Sequence, residues 1–384
     1  MKISAYYPNY FKDFGIAHAC YYLMKGMQAK DSEIKLMGIS SDPLFNDNFY
    51  RDAIPAWSKS LVYKILPDRA ILNMAESIFS RSLSKDADFA YLWPGITLKT
   101  YKNIKNRGYK IIFESVNTHA TNIKTILDAE YTRLKLPATH GITQQSTEEE
   151  LERLALSDYI YTCSPMMTAS YLDIGISQSK LLKTSYGLSN SAILGDLIPK
   201  HHVNPYKPTF IFVGSIGVRK GVHLLLEYWT KAKLNAKLKL VGSIEDALKH
   251  LVTQYLVDDS IEHIPFTSDL PSIYKCADVF ILPSLEEGSP LVTYMALGAG
   301  LPVIVSPMGG GGIIVDGENG FVIAPHDESR WVECMRQLAE SDELRQKLSA
   351  NSKQKATNYV WDAVGTRRLN ALIQAESQLI RKLT

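Results

Sequence analysis

Two adjacent carboxylates stand at the end of an apolar stretch in the second half of the chain. The segment Phe280–Gly300 reads FILPSLEEGSPLVTYMALGAG, in which a predicted strand precedes Glu286 and Glu287 and a predicted helix starts at Leu291. Open α/β sheets bind ligands at the carboxyl edge of their strands, and the first N–H groups of a helix attract anions. A carboxylate accepts hydrogen bonds from hydroxyl groups. The segment therefore predicts a site for a ligand with both a phosphate and a polyol, such as a nucleotide sugar.

Two glycine-containing segments follow other predicted strands. In Phe212–Gly221, Arg219 and Lys220 stand at the start of a predicted helix, where two cations suit a diphosphate leaving group. A solvated basic loop is the alternative interpretation. The four glycines of Ser306–Gly312 either let the backbone approach a ligand closely or form a flexible turn. We expect Asp316–Gly320 to be a structural turn.

Composition excludes several classes of protein. The chain has 384 residues, is 46% hydrophobic and carries a formal net charge of +2, so two α/β domains are expected and nucleic acid is not an expected partner. The N-terminus MKISAYYPNYF predicts a strand, not a signal peptide, and no apolar run is long enough to span a membrane. A cytoplasmic protein with reduced, buried thiols is therefore expected at Cys20, Cys163, Cys276 and Cys334.

Apolar strands alternate with helical patterns in two series, which favours two parallel sheets flanked by helices. The proline-rich segment Ile198–Pro208 predicts a linker between them. We predict an N-terminal Rossmann-like domain over 1–200, a C-terminal Rossmann-like domain over 201–361, and a last helix over about 362–384 that belongs with the first domain.

Several motifs together resemble family 4 retaining glycosyltransferases, which have the GT-B fold. They are FVGSIGVRKGVHLLLEYW, ADVFILPSLEEGSPLVTYMALGAGLPVIVSPMGGGGIIVDGENGFVI and NYVWD, with a weaker match at LSDYIYTCSPMMTASYLDIGI and KTSYGLS. The resemblance implies two domains facing a central cleft, with donor bound mainly by the second, acceptor mainly by the first, and a C-terminal helix crossing back. It also implies transfer of a sugar from a nucleotide diphosphate sugar to an acceptor hydroxyl with retention of configuration and without a metal.

The resemblance assigns donor-binding residues. Lys220 matches the lysine on the diphosphate, whereas Ser215 occupies the position of the family arginine, so that contact is lost or taken over by Arg219. Glu287 begins the E-x7-E motif and matches the glutamate on the donor sugar. Met295 replaces the second glutamate, which holds the ribose, and a methionine cannot accept a good hydrogen bond. Further donor-binding residues are expected at Gly15, Phe266, Gly288, Ser289, Pro290, Leu291 and Val292.

The same resemblance assigns a catalytic trio and acceptor contacts. His119 matches the histidine beside the donor sugar and joins Lys220 and Glu287 as the expected catalytic residues. Phe14, Asn117 and His119 are expected to contact the acceptor, with Glu114 as a weaker choice. Simpler interpretations are a loop histidine for His119, a core aromatic for Phe266 and a turn residue for Gly15.

Three other patterns have competing interpretations. Asp86 and Asp88 have a metal-binding spacing but precede a strand, and His201-His202 lacks a nearby cysteine, so we expect no metal and no cofactor. Trp57–Lys85 mixes cations with apolar residues; such a helical pair either packs on the core or rests on an anionic membrane.

We therefore predict a hexosyltransferase whose donor is a nucleotide diphosphate sugar, a UDP-sugar above all, and whose acceptor is a glycan or lipid-linked. Bacterial surface polysaccharide assembly (lipopolysaccharide O-antigen, capsule or exopolysaccharide) is the expected role, in the cytoplasm or peripherally on the inner face of the membrane. A GT-B nucleotide-sugar epimerase and a non-catalytic GT-B binding subunit, the latter favoured by Ser215 and Met295, remain alternatives.

Overall fold

The computed structural model describes residues 1–30, 32–193, 207–267 and 269–383. The predicted boundary between residues 200 and 201, most of the predicted linker and the His201-His202 pair lie outside these ranges. Within them the strands are β1 (Lys2–Phe11), β2 (Glu33–Ser41), β3 (Tyr50–Asp52), β4 (Phe89–Leu92), β5 (Lys110–Glu114), β6 (Tyr159–Thr162), β7 (Leu181–Lys183), β8 (Thr209–Val213), β9 (Lys237–Val241), β10 (Ile261–Ile264), β11 (Val279–Leu282), β12 (Val303–Val305) and β13 (Gly320–Val322).

These strands form two parallel sheets, one in the order β3-β2-β1-β4-β5-β6-β7 and the other in the order β10-β9-β8-β11-β12-β13. The central strands are apolar and buried throughout, as in Val279–Leu282, because helices cover both faces of each sheet. The predicted α/β architecture is confirmed.

The helices that cover the sheets are α1 (Gly15–Gly26), α2 (Ala56–Ile65), α3 (Asp68–Ser82), α4 (Leu98–Asn106), α5 (Ala120–Arg133), α6 (Gln144–Leu156), α7 (Pro165–Asp173), α8 (Val222–Ala232), α9 (Lys249–Tyr255), α10 (Leu270–Lys275), α11 (Leu291–Gly298), α12 (Pro307–Gly310), α13 (Glu328–Glu340), α14 (Asp342–Ala356) and α15 (Trp361–Leu383). The sequence pattern does not predict β3, α5, α12 or α14.

The strand order places a crevice in each sheet. In the first sheet the chain moves outward from β1 to β3 and then returns to add β4 on the other side of β1; in the second sheet the same reversal separates β8 from β11. Ligands of open parallel sheets bind at such reversals, outside the carboxyl ends of the strands. The loops that follow β8 and β11, which carry the predicted donor residues, therefore lie side by side.

The last helix returns to the first domain, as predicted. Helix α15 packs along α1, where a Cβ atom on Gly365 would overlap the backbone of Gly26. Its Arg368 is fully buried and donates from Nη1 to Glu114 Oε2 at 2.7 Å. A buried ion pair thus fixes the end of the chain to the core of the first domain.

Two sequence-based expectations are wrong in part. Cys20, Cys163 and Cys334 are buried and free, but Cys276 is exposed, because it ends the short helix α10 at the protein surface. Core packing holds for α3, which buries Ile71, Ala75 and Phe79, and fails for α2, in which no residue is buried.

Candidate active site

The turn between β11 and α11 presents free backbone donors. Pro290 precedes the first turn of α11 and supplies no side-chain hydrogen bond to it. The helix therefore begins with uncapped N–H groups at the half-buried Leu291 and Val292. Ser289 is buried, and its Oγ pairs with the hydroxyl of Tyr294 at 2.8 Å, which fixes the shape of the turn.

Charged side chains from the two neighbouring loops meet beside this turn. Lys220 Nζ forms an ion pair with Glu287 Oε1, and Arg219 Nη2 lies 3.5 Å from Glu287 Oε2. Burial raises the pKa of the Glu287 carboxyl, but Lys220 and Arg219 outweigh burial and bring that pKa below its ordinary value. The carboxylate is therefore charged at neutral pH. Three of the predicted donor residues thus lie together.

Gly221 lets the two loops approach this closely. Its φ of +68° lies in the left-handed region, and a Cβ atom would overlap the carbonyl oxygen of Pro283. Leu285 N also donates to Arg219 O at 2.9 Å, which ties the loop after β11 to the loop after β8. The charges of the cluster are positioned by backbone contacts as well as by ion pairs.

The neighbouring carboxylate joins the two domains. Glu286 is fully buried; its Oε2 accepts from Arg219 Nε at 2.7 Å and its Oε1 accepts from Thr118 Oγ1 at 2.9 Å. Arg219 Nη2 also donates to Asn117 Oδ1 at 2.9 Å. Arg219 was predicted to bind the donor and Asn117 to bind the acceptor. The two residues are therefore hydrogen-bonded to each other across the cleft.

His119 lies in the same loop of the first domain, and its side chain is enclosed. It caps α5, with Nδ1 accepting from Thr121 N at 3.2 Å, while Nε2 lies 3.7 Å from Glu150 Oε2. Burial lowers the pKa of His119 to about 4. The imidazole is therefore neutral at pH 7 and carries its proton on Nε2. Its predicted contact with the donor sugar stays a prediction.

Ser215 and Met295 hold the positions where the sequence departs from the family. Ser215 Oγ donates to Glu245 Oε1 at 2.7 Å, and this carboxylate packs so closely on Gly217 that a Cβ there would overlap it. Met295 is half-buried on α11. Sequence reasoning missed Glu245, because it follows β9 in a loop with no recognisable motif.

Two aromatic rings mark the opposite end of the site. Phe14, at the start of α1, is 58% exposed and Phe266, after β10, is 74% exposed, and their ring centroids lie 6.4 Å apart across the domains. The interpretation of Phe266 as a core aromatic is therefore wrong. Gly15 has a φ of +66°, and nothing lies within 4 Å of where its Cβ would be, which leaves open space beside the α1 terminus.

Three sequence-based candidates lie elsewhere or face inward. Glu114 cannot contact an acceptor, because it is fully buried against Arg368. Asp86 and Asp88 both bind Lys2, at the amino end of β1 and away from the cleft. The glycine-rich segment forms α12 and a turn in which Gly311 packs on Ser289 and Gly312 on Pro165, so protein occupies the space beside these glycines.

Sequence reasoning also missed a second contact between the domains. Glu130 on α5 accepts from His223 Nε2 on α8 at 2.6 Å and from Arg133 at 2.6 Å, and His326 lies 3.3 Å away. Burial raises the pKa of Glu130, but the hydrogen bonds from His223 and Arg133 outweigh burial and bring it to about 2. Glu130 was missed because α5 itself was not predicted.

The chain thus has two parallel-sheet halves, and a charged cluster lies at the carboxyl edge of the second sheet. The family model for glycosyl transferases group 1 matches residues 196–355. This match agrees with the resemblance read from the motifs, most of which lie in the same part of the chain.

Curated relatives match part of the chain. An uncharacterized glycosyltransferase of Haemophilus influenzae is 29% identical over 52% of this chain and 58% of its own length. A D-inositol 3-phosphate glycosyltransferase of Corynebacterium diphtheriae is 36% identical over 25% of this chain and 22% of its own length. The chain thus spans less than two thirds of the length of these relatives.

Solved structures match the whole chain. Sucrose-phosphate synthase from Thermosynechococcus elongatus has a TM-score of 0.70 at 16% identity, covering 100% of this chain and 98% of its own. WaaG, a glycosyltransferase involved in lipopolysaccharide biosynthesis, has a TM-score of 0.66 at 16% identity, covering 97% and 99%. Anabaena Alr3699/HepE in complex with UDP-glucose has a TM-score of 0.67 at 14% identity, covering 98% and 100%. At such identities these likenesses show the GT-B fold.

Proposed function

We propose that this chain is a retaining hexosyltransferase that uses a nucleotide diphosphate sugar. One observation carries the proposal: Lys220, Arg219 and Glu287 meet beside the uncapped start of α11, at the strand-order reversal of the second sheet. The cations and the N–H groups suit a diphosphate, and the carboxylate suits sugar hydroxyls.

The proposed chemistry is the front-face attack that the family resemblance implies. The bond between the anomeric carbon and the diphosphate oxygen breaks, and the acceptor oxygen bonds to the same face of that carbon. The acceptor proton passes to the departing phosphate oxygen, so no protein nucleophile is required. Lys220, Arg219 and the N–H groups of Leu291 and Val292 stabilise the charge that grows on the diphosphate, and this electrostatic contribution dominates catalysis.

His119 would lie near the sugar through its position after β5. A neutral imidazole with its proton on Nε2 can donate a hydrogen bond to a sugar hydroxyl or to an oxygen of the polarised anomeric centre. Because its side chain is enclosed beside Glu150, donor binding has to reshape the Asn117–His119 loop before Nε2 meets the sugar. Phe14 and Asn117, on the same side of the cleft, are the proposed acceptor contacts.

A UDP-sugar is the proposed donor, supported by the likeness to a fold that was solved with UDP-glucose. Phe266 offers an exposed ring to the base. Glu245 offers the carboxylate that Met295 lacks for the ribose hydroxyls. Mixing the protein with UDP-, GDP- and dTDP-hexoses and following nucleotide release and sugar configuration by NMR tests the assignment.

Each outcome of that experiment points to one class of protein. Nucleotide release with an anomeric centre of unchanged configuration supports a retaining transferase. Interconversion of the sugar without transfer supports the epimerase, and no binding of any donor supports the non-catalytic subunit, which Ser215 and Met295 favour. Equal rates with and without EDTA are expected, because the proposed charge stabilisation comes from side chains and backbone.

The proposed acceptor is a lipid-linked or polymeric glycan of a bacterial surface polysaccharide, supported by the likeness to the lipopolysaccharide enzyme WaaG. Helix α2 supports a peripheral membrane location. Trp57, Leu61 and Ile65 form one stripe at helical spacing and are 87%, 62% and 65% exposed. Lys64 on the same helix and Arg69 in the first turn of α3 are exposed cations, and cations attract an anionic membrane surface.

Vesicle flotation tests this location. Vesicles with anionic lipids should retain the wild-type protein, whereas Trp57→Ser/Leu61→Ser should reduce retention about tenfold or more, because it removes two large apolar side chains from the interface. Val257→Ser, which changes another exposed apolar residue, is the matched control. Equal retention of all three proteins would remove α2 from the membrane proposal. Among the described residues, no helix combines the length and apolarity needed to cross a bilayer.

A further inference from the structure

A cavity of about 600 Å³ lies between the two domains, apart from the Lys220–Glu287 cluster. Its walls come from the start of α7, the end of β7, the Gly311–Gly312 turn after α12 and the segment around the start of α15. Four separate parts of the chain therefore line it. Its volume falls in the range of small-molecule sites.

The charged residues that line the cavity are both cations. Lys183 is the last residue of β7, and Arg367 lies on α15. The described residues that line the cavity include no Asp or Glu. Neither side chain forms an ion pair with any residue in the described ranges, and the contact printed for Arg367 is a hydrogen bond from Nη2 to Asn358 O at 2.7 Å. The positive charge at this cavity is left without a carboxylate from the protein itself.

Two neutral groups extend the set of hydrogen-bond donors. Tyr359 lines the cavity with Asn358, and burial raises the pKa of its phenol while nearby Arg367 partly opposes that rise. The phenol therefore keeps its proton at neutral pH and can donate it, and the Asn358 amide can donate as well. The apolar residues that line the cavity include Pro165, Leu172 and Ile313.

We propose that this inter-domain cavity binds a sugar phosphate, with Lys183 and Arg367 on the phosphate. A phosphate monoester supplies two negative charges and three acceptor oxygens for the cations and the phenol. The carbon-bound hydrogens of a sugar ring pack on Pro165, Leu172 and Ile313, and Asn358 contacts its hydroxyls. The volume admits a phosphorylated monosaccharide.

The cavity shares a wall with the donor turn. Gly311 lines the cavity, and a Cβ atom on it would lie 2.9 Å from Ser289 Oγ in the turn that precedes α11. A sugar phosphate that touches both domains beside this turn stabilises their present arrangement. The ligand therefore raises the melting temperature of the folded protein, since it binds the native state alone.

Isothermal titration calorimetry with glucose 6-phosphate tests the proposal. We expect wild-type protein to bind it with a dissociation constant of about 1 mM or tighter. Lys183→Ala/Arg367→Ala should weaken binding about 30-fold or more, because it removes both charge-assisted contacts. Glucose should bind far more weakly than glucose 6-phosphate, because it lacks the phosphate.

Two further variants separate this cavity from other surfaces. Lys347→Ala removes an exposed cation of α14 that does not line the cavity and should bind like the wild type. Lys220→Ala, which disables the proposed donor cleft, should also keep glucose 6-phosphate binding, so the two proposals fail independently. A thermal melt of each variant confirms that it is folded.

Two results would overturn the proposal. One is the absence of glucose 6-phosphate binding to wild type at about 10 mM. The other is binding that survives in folded Lys183→Ala/Arg367→Ala or disappears in Lys220→Ala, because either would locate the ligand elsewhere.

Discussion

Lys220 and Glu287 neutralise each other in a buried position, and a nucleotide sugar offers each of them a new partner. The diphosphate can bind the ammonium while the sugar hydroxyls bind the carboxylate. The ion pair therefore positions both charged groups in the absence of the donor. This placement makes the two residues the most sensitive positions of the proposed reaction.

Lys220→Ala and Glu287→Ala should each lower kcat by roughly 100-fold or more, because each removes a charge-assisted contact from a desolvated site. Steady-state kinetics with the donor identified by nucleotide release measures the change. Lys231→Ala, which breaks exposed ion pairs to Glu227 and Glu328, is the control and should leave kcat unchanged. Near-normal turnover in both site variants would contradict the assignment.

His119 gives a prediction about pH. Its pKa is about 4 in the folded protein and about 6.5 in the unfolded chain, so between these values the unfolded state binds more protons. The stabilisation is complete above pH 6.5 and is lost as the pH falls toward 4. The free energy of unfolding of wild type should therefore decline more steeply in this window than that of His119→Asn, which keeps a capping side chain. Parallel declines in urea titrations would contradict the enclosed neutral imidazole.

At the residue scale, the sequence could predict candidate residues within one domain better than it could predict contacts between the two domains. Lys220 and Glu287 follow neighbouring strands, and each lies in a sequence motif from which it was predicted as a donor-binding residue. The hydrogen bonds from Thr118 to Glu286 and from Arg219 to Asn117 join residues 168 and 102 positions apart, and no local pattern predicts such a pairing. The contact between the Phe266 and Phe14 rings likewise joins distant parts of the sequence.

Among the elements, the turn before α11 controls how the domains meet. Gly288 packs against the Val116–Asn117 backbone, and a Cβ atom on it would overlap the carbonyl oxygen of Val116. A substitution at this glycine therefore alters the contact between the domains without touching the charged cluster.

Gly288→Ala should push the Asn117–His119 loop away from the donor turn and lower kcat about tenfold or more, since a displacement of about 1 Å costs up to 100-fold. Gly317→Ala, which strains a left-handed turn but meets no neighbouring atom, is the control for backbone strain and should leave kcat unchanged. Small-angle scattering should show a larger radius of gyration for Gly288→Ala. An unchanged radius together with unchanged kcat would contradict a tight contact at this position.

The elements that the sequence pattern does not predict share a physical reason. Helix α14 buries Arg345, Leu348, Ser352 and Ala356, so its inner face is largely polar or small and gives no apolar stripe. Helix α5 buries Leu127, Glu130 and Tyr131, and its partners across the domains include His223. Periodicity detects helices that bury apolar residues, and these two helices are stabilised in part by polar contacts.

At the scale of the whole molecule, α15 stabilises the first domain from the far end of the sequence. Arg368 donates to Glu114, to Tyr91 OH at 2.8 Å and to Cys163 Sγ at 2.9 Å, and its guanidinium lies 4.9 Å from the Tyr161 ring centroid. The crossing helix was predicted from the family resemblance, but its buried arginine was not, because Arg368 lies among exposed polar residues in the sequence.

Arg368→Met should lower the free energy of unfolding by about 3–5 kcal/mol, because it leaves the Glu114 carboxylate buried without its partner. Glu114→Gln/Arg368→Met should recover part of this loss, since the remaining buried group is neutral. Urea denaturation measures both variants. A double variant no more stable than the single one would show that packing, not charge, anchors α15.

The position of Arg368 also has a consequence for biosynthesis. Domains made early by the ribosome generally fold before later ones are complete. Here the carboxylate of Glu114 acquires its cation when residue 368 has left the exit tunnel. The first sheet therefore stays incompletely packed until the second sheet and α15 have also been translated, and nascent chains halted before α15 should remain sensitive to protease.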